Sequence, residues 1–170
     1  MLAAGLCRPA SKGRGAFPPG LLLLLSILML SGCAGFGGGV PSQISDVRQT
    51  IVFEATGQIG RPYRYGGTTP EGFDCSGLAR YVYAQAGVSL PRSTREQHAA
   101  GKTIKITQAQ PGDLLFYRFA KGGGGVDHVA IYLGEGEAVH APASGRTVIV
   151  ASVGDPWWEK RFVDAVRVIP

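Results

Sequence analysis

Three residues in this sequence have side chains that combine into nucleophilic chemistry: Cys75, His128 and His140. A thiol attacks carbonyl carbon as its thiolate. Its free pKa of about 8.5 falls at a helix amino terminus or beside an imidazolium. Asp74 is a good N-cap, and Cys75, Leu78, Ala79, Val82 and Ala86 follow it at helical spacing. Cys75 is therefore expected in the first turn of a helix, facing the core. There the exposed amides, that of Ser76 among them, point to where an oxyanion would form. His128 opens an apolar, β-branched run, and His140 follows the Gly134-Glu135-Gly136 turn. Two strands of such a hairpin bring their side chains within reach of each other. With Cys75 against that sheet, the line would run thiolate, imidazole base, orienting polar group. Spacing alone leaves two alternatives open: a buried structural thiol, and a Cys-His-His zinc site with an open position.

The elements that must hold these residues are legible in outline. Ile44, Val47, Ile51, Val52, Ala55 and Ile59 predict a helix over residues 43–58. Residues 62–74, with Gly66-Gly67 and Pro70, read as loop, and a helix over 75–86 ends at Gly87. Ser93 and Glu96 form a capping box for a short helix ending near Gly101. Strands are expected over 113–117, 128–133, 137–141, 147–153 and 161–169, with a glycine loop at 121–125. Trp157 and Trp158 fall in a loop and are read as packing residues, and His98 as a surface residue. Helices lead and strands follow, which argues an α+β fold with N-terminal helices packed on an antiparallel sheet.

The chain has 170 residues, enough for one domain, and a net charge of +5. Arg8, Lys12 and Arg14 contribute +3 within residues 1–33, which contain no acid, so the remainder carries +2. That is too sparse for a nucleic-acid-binding surface. The basic start precedes an apolar run at 21–30, too short to span a bilayer and suited to a cleaved signal segment. Leu30-Ser31-Gly32-Cys33 resembles the lipobox of bacterial lipoproteins. The resemblance implies removal of residues 1–32 and lipid on Cys33. With Ala34 rather than Asp next, it implies anchoring in the outer membrane, facing the periplasm. Residues 33–42 then form a glycine-rich tether, and 43–170 the domain. Cys7 leaves with the signal and Cys33 is consumed by lipid, so Cys75 has no disulfide partner. In an oxidising compartment a lone thiol points to reactivity.

Several motifs stand in register: Tyr65-Gly66-Gly67, Phe73-Asp74-Cys75-Ser76-Gly77, Leu90-Pro91-Arg92-Ser93-Thr94, Pro111-Gly112-Asp113-Leu114-Leu115-Phe116, His128-Val129-Ala130-Ile131-Tyr132-Leu133-Gly134 and Val139-His140-Ala141-Pro142. Together they resemble the NlpC-type family of bacterial cell-wall endopeptidases, which have a minimal papain-like fold. The resemblance implies Cys75 as nucleophile, His128 as general base and acid, and His140 as the group that orients it. Tyr63 matches a tyrosine that polarises the reacting carbonyl in some members. It implies hydrolysis of stem peptides of peptidoglycan, between γ-D-glutamate and diaminopimelate or at the D-alanyl–diaminopimelate crosslink, with no cofactor and no metal. Arg61, Arg64, Arg92 and Arg95 flank the expected cleft, where stem-peptide carboxylates would pair with guanidinium groups. The competing readings are an amidase on the same dyad, an acyltransferase on the same scaffold, and a wall-binding lipoprotein that is non-catalytic or waits for a partner.

Overall fold

The computed structural model describes residues 42–122 and 124–170; the expected signal segment, Cys33 and residues 34–41 of the tether lie outside them. The chain runs through α1 (Ser42–Gly57), β1 (Thr68–Thr69), β2 (Gly72–Phe73), α2 (Cys75–Gln85) and α3 (Thr94–His98). It continues with β3 (Lys102–Ile104), a 3-10 turn (Ile106–Gln108), β4 (Leu114–Tyr117), β5 (His128–Gly134), β6 (Glu137–His140), β7 (Ile149–Ser152), α4 (Pro156–Glu159) and β8 (Phe162–Arg167). Six strands form one antiparallel sheet in the order β3-β8-β4-β5-β6-β7, and β1 and β2 pair separately. This is the expected α+β arrangement. Among the described residues, no helix is long and apolar enough to cross a membrane.

The period of two along the strands divides the core. Leu114, Phe116, Val129, Ile131 and Val139 pack with Ile51, Ala55, Leu78, Ala79 and Val82 of the helices. Leu115, Tyr117, Ala130, Ala138 and Ala165 face the other way, under Trp158. All four residues of β4 are buried, which is why its sequence reads as an unbroken apolar run. Fully burying one such side chain contributes about 1.5–3 kcal/mol.

Two polar locks fix the layers. Asp113 is buried and accepts from Arg48 at 3.0 Å, from Arg167 at 2.8 Å and from the Gln110 amide at 2.8 Å. Arg48 also donates to the carbonyls of Pro111 and Ile169, so one network joins α1, β4 and β8. The second lock is a close approach. A Cβ on Gly77 would lie 1.9 Å from the Gly67 carbonyl oxygen, which itself accepts from the Asp74 amide at 3.1 Å. The glycine in the first turn of α2 lets that helix sit directly on the Gly66-Gly67 loop.

The structure departs from the sequence-based reading in five places. Residues 62–74 are not all loop: they carry the β1–β2 hairpin, whose two-residue strands are too short for a periodicity. Ser42, the last residue of the expected tether, opens α1. Trp157 and Trp158 lie on the one-turn helix α4, with Pro156 in its first turn and the Asp155 side chain accepting from the Trp157 amide at 2.8 Å. His98 is not simply a surface residue: its Nε2 pairs with Asp164 at 2.8 Å and its ring packs edge-on against Phe116. Finally, β3 adds a three-residue edge strand paired with β8, again too short to show a pattern.

Candidate active site

Cys75 is the first residue of α2. Asp74 caps the helix, accepting from the Gly77 amide at 2.6 Å, while its carbonyl accepts from Leu78. Among the described residues, the amides of Cys75 and Ser76 have no backbone acceptor, as expected of a first helical turn. The second carboxylate oxygen of Asp74 accepts from the Gly66 amide at 3.0 Å. Arg92 grips both oxygens, at 2.5 and 3.1 Å, and donates to the Ser76 hydroxyl at 2.8 Å. Arg92 therefore directs both terminal nitrogens of its guanidinium to the cap beneath the nucleophile. Gln97 ties the loop down by donating to the carbonyls of Ser76 and Pro91, both at 2.9 Å.

The half-buried Cys75 thiol is pushed up from its ordinary value. Burial is the main cause, and the Asp74 charge adds to it. The Val129 amide, the Thr94 hydroxyl at 3.7 Å and the Ser76 amide pull the other way without prevailing. A helix terminus by itself favours a thiolate; here desolvation outweighs it, because the helix start is packed under the sheet. The sulfur's side-chain hydrogen bond is to Thr94, not to His128. Its contact with the sheet is at Val129, the residue after His128.

The two histidines are joined directly. His128 Nε2 and His140 Nδ1 lie 3.1 Å apart, with ring planes 8° from parallel. The register places His140 opposite Ala130, two residues along from His128, so both rings share one face of the β5–β6 pair. Both are buried. Desolvation lowers His128 to about 4 against the pull of Asp127, and it lowers His140 well below its ordinary value, helped by the charge of His128. The Trp158 indole covers the pair, 3.8 Å from the His140 ring centroid and 5.6 Å from that of His128. Tyr117 and Phe119 complete the wall around His128, at 5.8 and 5.3 Å. Trp158 is a packing residue, as its sequence context suggests, but it packs against the site itself. Only the fold discloses this, because Trp158 comes from α4.

Tyr63 lies beside this centre. Its backbone bridges Phe73 and its amide donates to the Arg146 carbonyl at 2.8 Å. Burial, then the charges of Cys75 and Asp74, raise its phenol. Tyr65 is almost fully exposed. Arg61 and Arg64 are exposed and close enough to Glu71 to lower its carboxyl, after the hydrogen bond from Thr69 and one from the Glu71 backbone. Arg64 also packs across Gly72. Cys75 and Ser76 open α2 with Tyr63 near the thiol, Cys75 reaches the sheet at Val129, and His128 and His140 form a hydrogen-bonded pair starting at the preceding residue, while Arg61 and Arg64 lie on the segment before the β1–β2 hairpin. Among the described residues, no group of three or more His, Cys, Asp or Glu side chains is placed to hold a metal ion. A larger groove, about 990 Å³, runs along α1 beside Val52, Phe53, Pro111 and Leu133; it is not lined by Cys75, His128 or His140.

Residues 60–167 match the model of the NlpC/P60 family. The chain belongs to this family. Among relatives, the murein DD-endopeptidase MepS/murein LD-carboxypeptidase of Escherichia coli (strain K12) is 39% identical over 125 residues, which cover 73% of this chain and 64% of that protein. The gamma-DL-glutamyl hydrolase of Bacillus subtilis (strain 168) is 38% identical over 122 residues, covering 71% of this chain and 30% of that protein. The chain thus spans less than two thirds of either relative. Among solved structures, the NlpC/P60 family protein from Bacillus cereus superposes with a TM-score of 0.68 at 32% identity, over 72% of this chain and 40% of that one. The peptidoglycan hydrolase RipB from Mycobacterium tuberculosis gives a TM-score of 0.65 at 30% identity, over 88% of this chain and 78% of that one.

Proposed function

We propose that this NlpC/P60 protein is a lipid-anchored cysteine endopeptidase that hydrolyses an amide bond in the stem peptides or crosslinks of peptidoglycan. The observation that carries the reading is the placement of Cys75 at the capped start of α2, against Val129, with the hydrogen-bonded His128–His140 pair beginning one residue away. The named activities of the Escherichia coli and Bacillus subtilis relatives support the substrate class.

The electrostatics favour a particular first step. The thiol is raised and His128 lowered, so the resting pair is neutral thiol and neutral imidazole rather than an ion pair. For His128 to accept the thiol proton at Nδ1, it must carry its own proton on Nε2, donated to His140 Nδ1. His140 thereby selects the base-competent tautomer. As sulfur attacks the carbonyl carbon, the proton passes to His128, and the tetrahedral oxyanion is met by the Cys75 and Ser76 amides, with the Tyr63 hydroxyl alongside. His128 then returns the proton to the leaving amine. Water activated by the same imidazole hydrolyses the thioester.

Residues 1–33 are assigned as signal and lipid attachment site, on the basic start, the apolar run and Leu30-Ser31-Gly32-Cys33. Anchoring is placed in the outer membrane, where the tether of residues 33–41 lets the domain reach the wall.

The test is the full chain and its Cys75→Ala form, purified in detergent and incubated with diaminopimelate-type muropeptides, crosslinked dimers and intact sacculi. Mass spectrometry should find a cut made by the wild type and not by Cys75→Ala. Absence of any cut on all three would return the weight to a wall-binding lipoprotein. Mass analysis of the mature amino terminus, with and without Cys33→Ser, reads the lipid.

A further inference from the structure

Beyond Phe119, next to His128, the surface carries an aromatic–cationic cluster that the reaction above does not use. Trp157 is half exposed and packs on Phe119 with ring centroids 5.2 Å apart; Phe119 in turn lies edge-on to His128 at 5.3 Å. The Arg161 guanidinium sits 4.2 Å from the Trp157 ring centroid and 5.5 Å from that of Phe119. One of its N–H groups donates to the Trp157 carbonyl at 2.6 Å. The backbone is pinned too: the Arg161 amide donates to the Trp158 carbonyl and its own carbonyl accepts from Arg118, both at 2.9 Å.

Among the described residues, no carboxylate lies within 4.0 Å of this cation. Two neighbouring acids are committed elsewhere. Asp127 accepts from the amides of Phe119 and Ala120, and Asp155 from that of Trp157. Arginine offers five N–H donors in a rigid fork that matches a carboxylate. Here one donor is used, and two aromatic faces hold the fork in place. A surface arginine that served only solvation would need none of this ordering, which costs side-chain entropy.

We infer that Arg161, held by Trp157 and Phe119, is a carboxylate-binding subsite for the residue that supplies the leaving amine. The side follows from the chemistry: His128 must protonate the leaving nitrogen, and the cluster adjoins His128 through Phe119. The inference rests on the endopeptidase reading for its substrate class. Diaminopimelate supplies the amine in both stem-peptide bonds and carries a free side-chain carboxylate, which sits on the carbon bearing the leaving nitrogen at the crosslink and at the far end of the side chain in the stem.

The experiment uses the full chain in detergent, with Cys75→Ala to allow binding without turnover. Two synthetic stem peptides are compared by calorimetry, identical except that the side-chain carboxylate of diaminopimelate is free in one and amidated in the other. The free acid should bind about ten- to a hundredfold more tightly, the range for a charge-assisted hydrogen-bonded pair. The preference should shrink from about 0.05 M to about 0.5 M salt. It should vanish in Cys75→Ala/Arg161→Gln, and fall partway in Cys75→Ala/Trp157→Leu, where the guanidinium remains without its platform. Equal binding of the two peptides by Cys75→Ala, no binding of either, or a preference that survives Arg161→Gln would each overturn the subsite. Turnover by the wild type is read separately. A binding preference without cutting would sink the endopeptidase reading and leave the carboxylate subsite standing.

Discussion

Acid should unfold this protein earlier than its carboxylates alone would dictate, because its two buried histidines must then charge, and His128 shows the effect. The ring is buried and neutral, lowered by desolvation from 6.5 to about 4. In the unfolded chain it binds a proton near the ordinary value. Between these two values the unfolded state holds the extra proton, so stability rises with pH across that window. It is fully present above about 6.5 and is lost as pH falls toward about 4. The loss is about 3 kcal/mol, because a tenfold change in proton affinity corresponds to about 1.4 kcal/mol. The assay is urea unfolding of wild type and His128→Gln at pH 7.5, 6.5, 5.5 and 4.5, followed by tryptophan fluorescence. The wild type should lose about 2.5 kcal/mol more than the variant over that range, since the last part of the loss falls below pH 4.5. Carboxylates titrate in both proteins and drop out of the difference. Parallel stability curves would refute the argument that burial holds this imidazole neutral. Kinetics give an independent reading: the acid limb of kcat/KM should lie near about 4, and a limb near about 6.5 would contradict the structure.

Gly77→Ala should cost more than about 3 kcal/mol or abolish folding, since its Cβ would enter the Gly67 carbonyl; thermal unfolding reads this, and a small change would mean that the loop can withdraw. Asp113→Asn should cost about 3–5 kcal/mol in chemical denaturation, because Arg48 and Arg167 lose their shared partner while Arg48 stays largely buried. Trp158→Leu should raise the His128 pKa toward 6.5 by letting water reach the pair, seen as an upward move in the histidine titration by NMR; an unmoved titration would show that the sheet alone excludes water. Alkylation of Cys75 by iodoacetamide at pH 7 should be slower than that of a free thiol. Faster labelling would mean a preformed thiolate.

What the sequence determined by itself lies within a few residues of each feature. Asp74 caps α2, Ser93 and Glu96 close their box, and Gly87 takes a φ of +76° just past the helix end. These are hydrogen bonds and dihedral preferences between near neighbours, so residue type and spacing suffice. Strands β4 to β8 followed from apolar runs of the right length, and the strand placement of His128 and His140 followed with them. The tertiary structure decided what depends on contacts between distant segments. In the sequence Arg92 is one of four arginines expected to flank the cleft; in the fold the loop carries it under Asp74, eighteen positions earlier in the chain. Trp158 reaches the histidines only because α4 returns to the sheet. The raised thiol and lowered imidazoles come from desolvation, which sums the atoms that every packed element brings around a group. A helix start can be read locally, but the protonation state of the residue placed there is set by what the rest of the fold excludes from it.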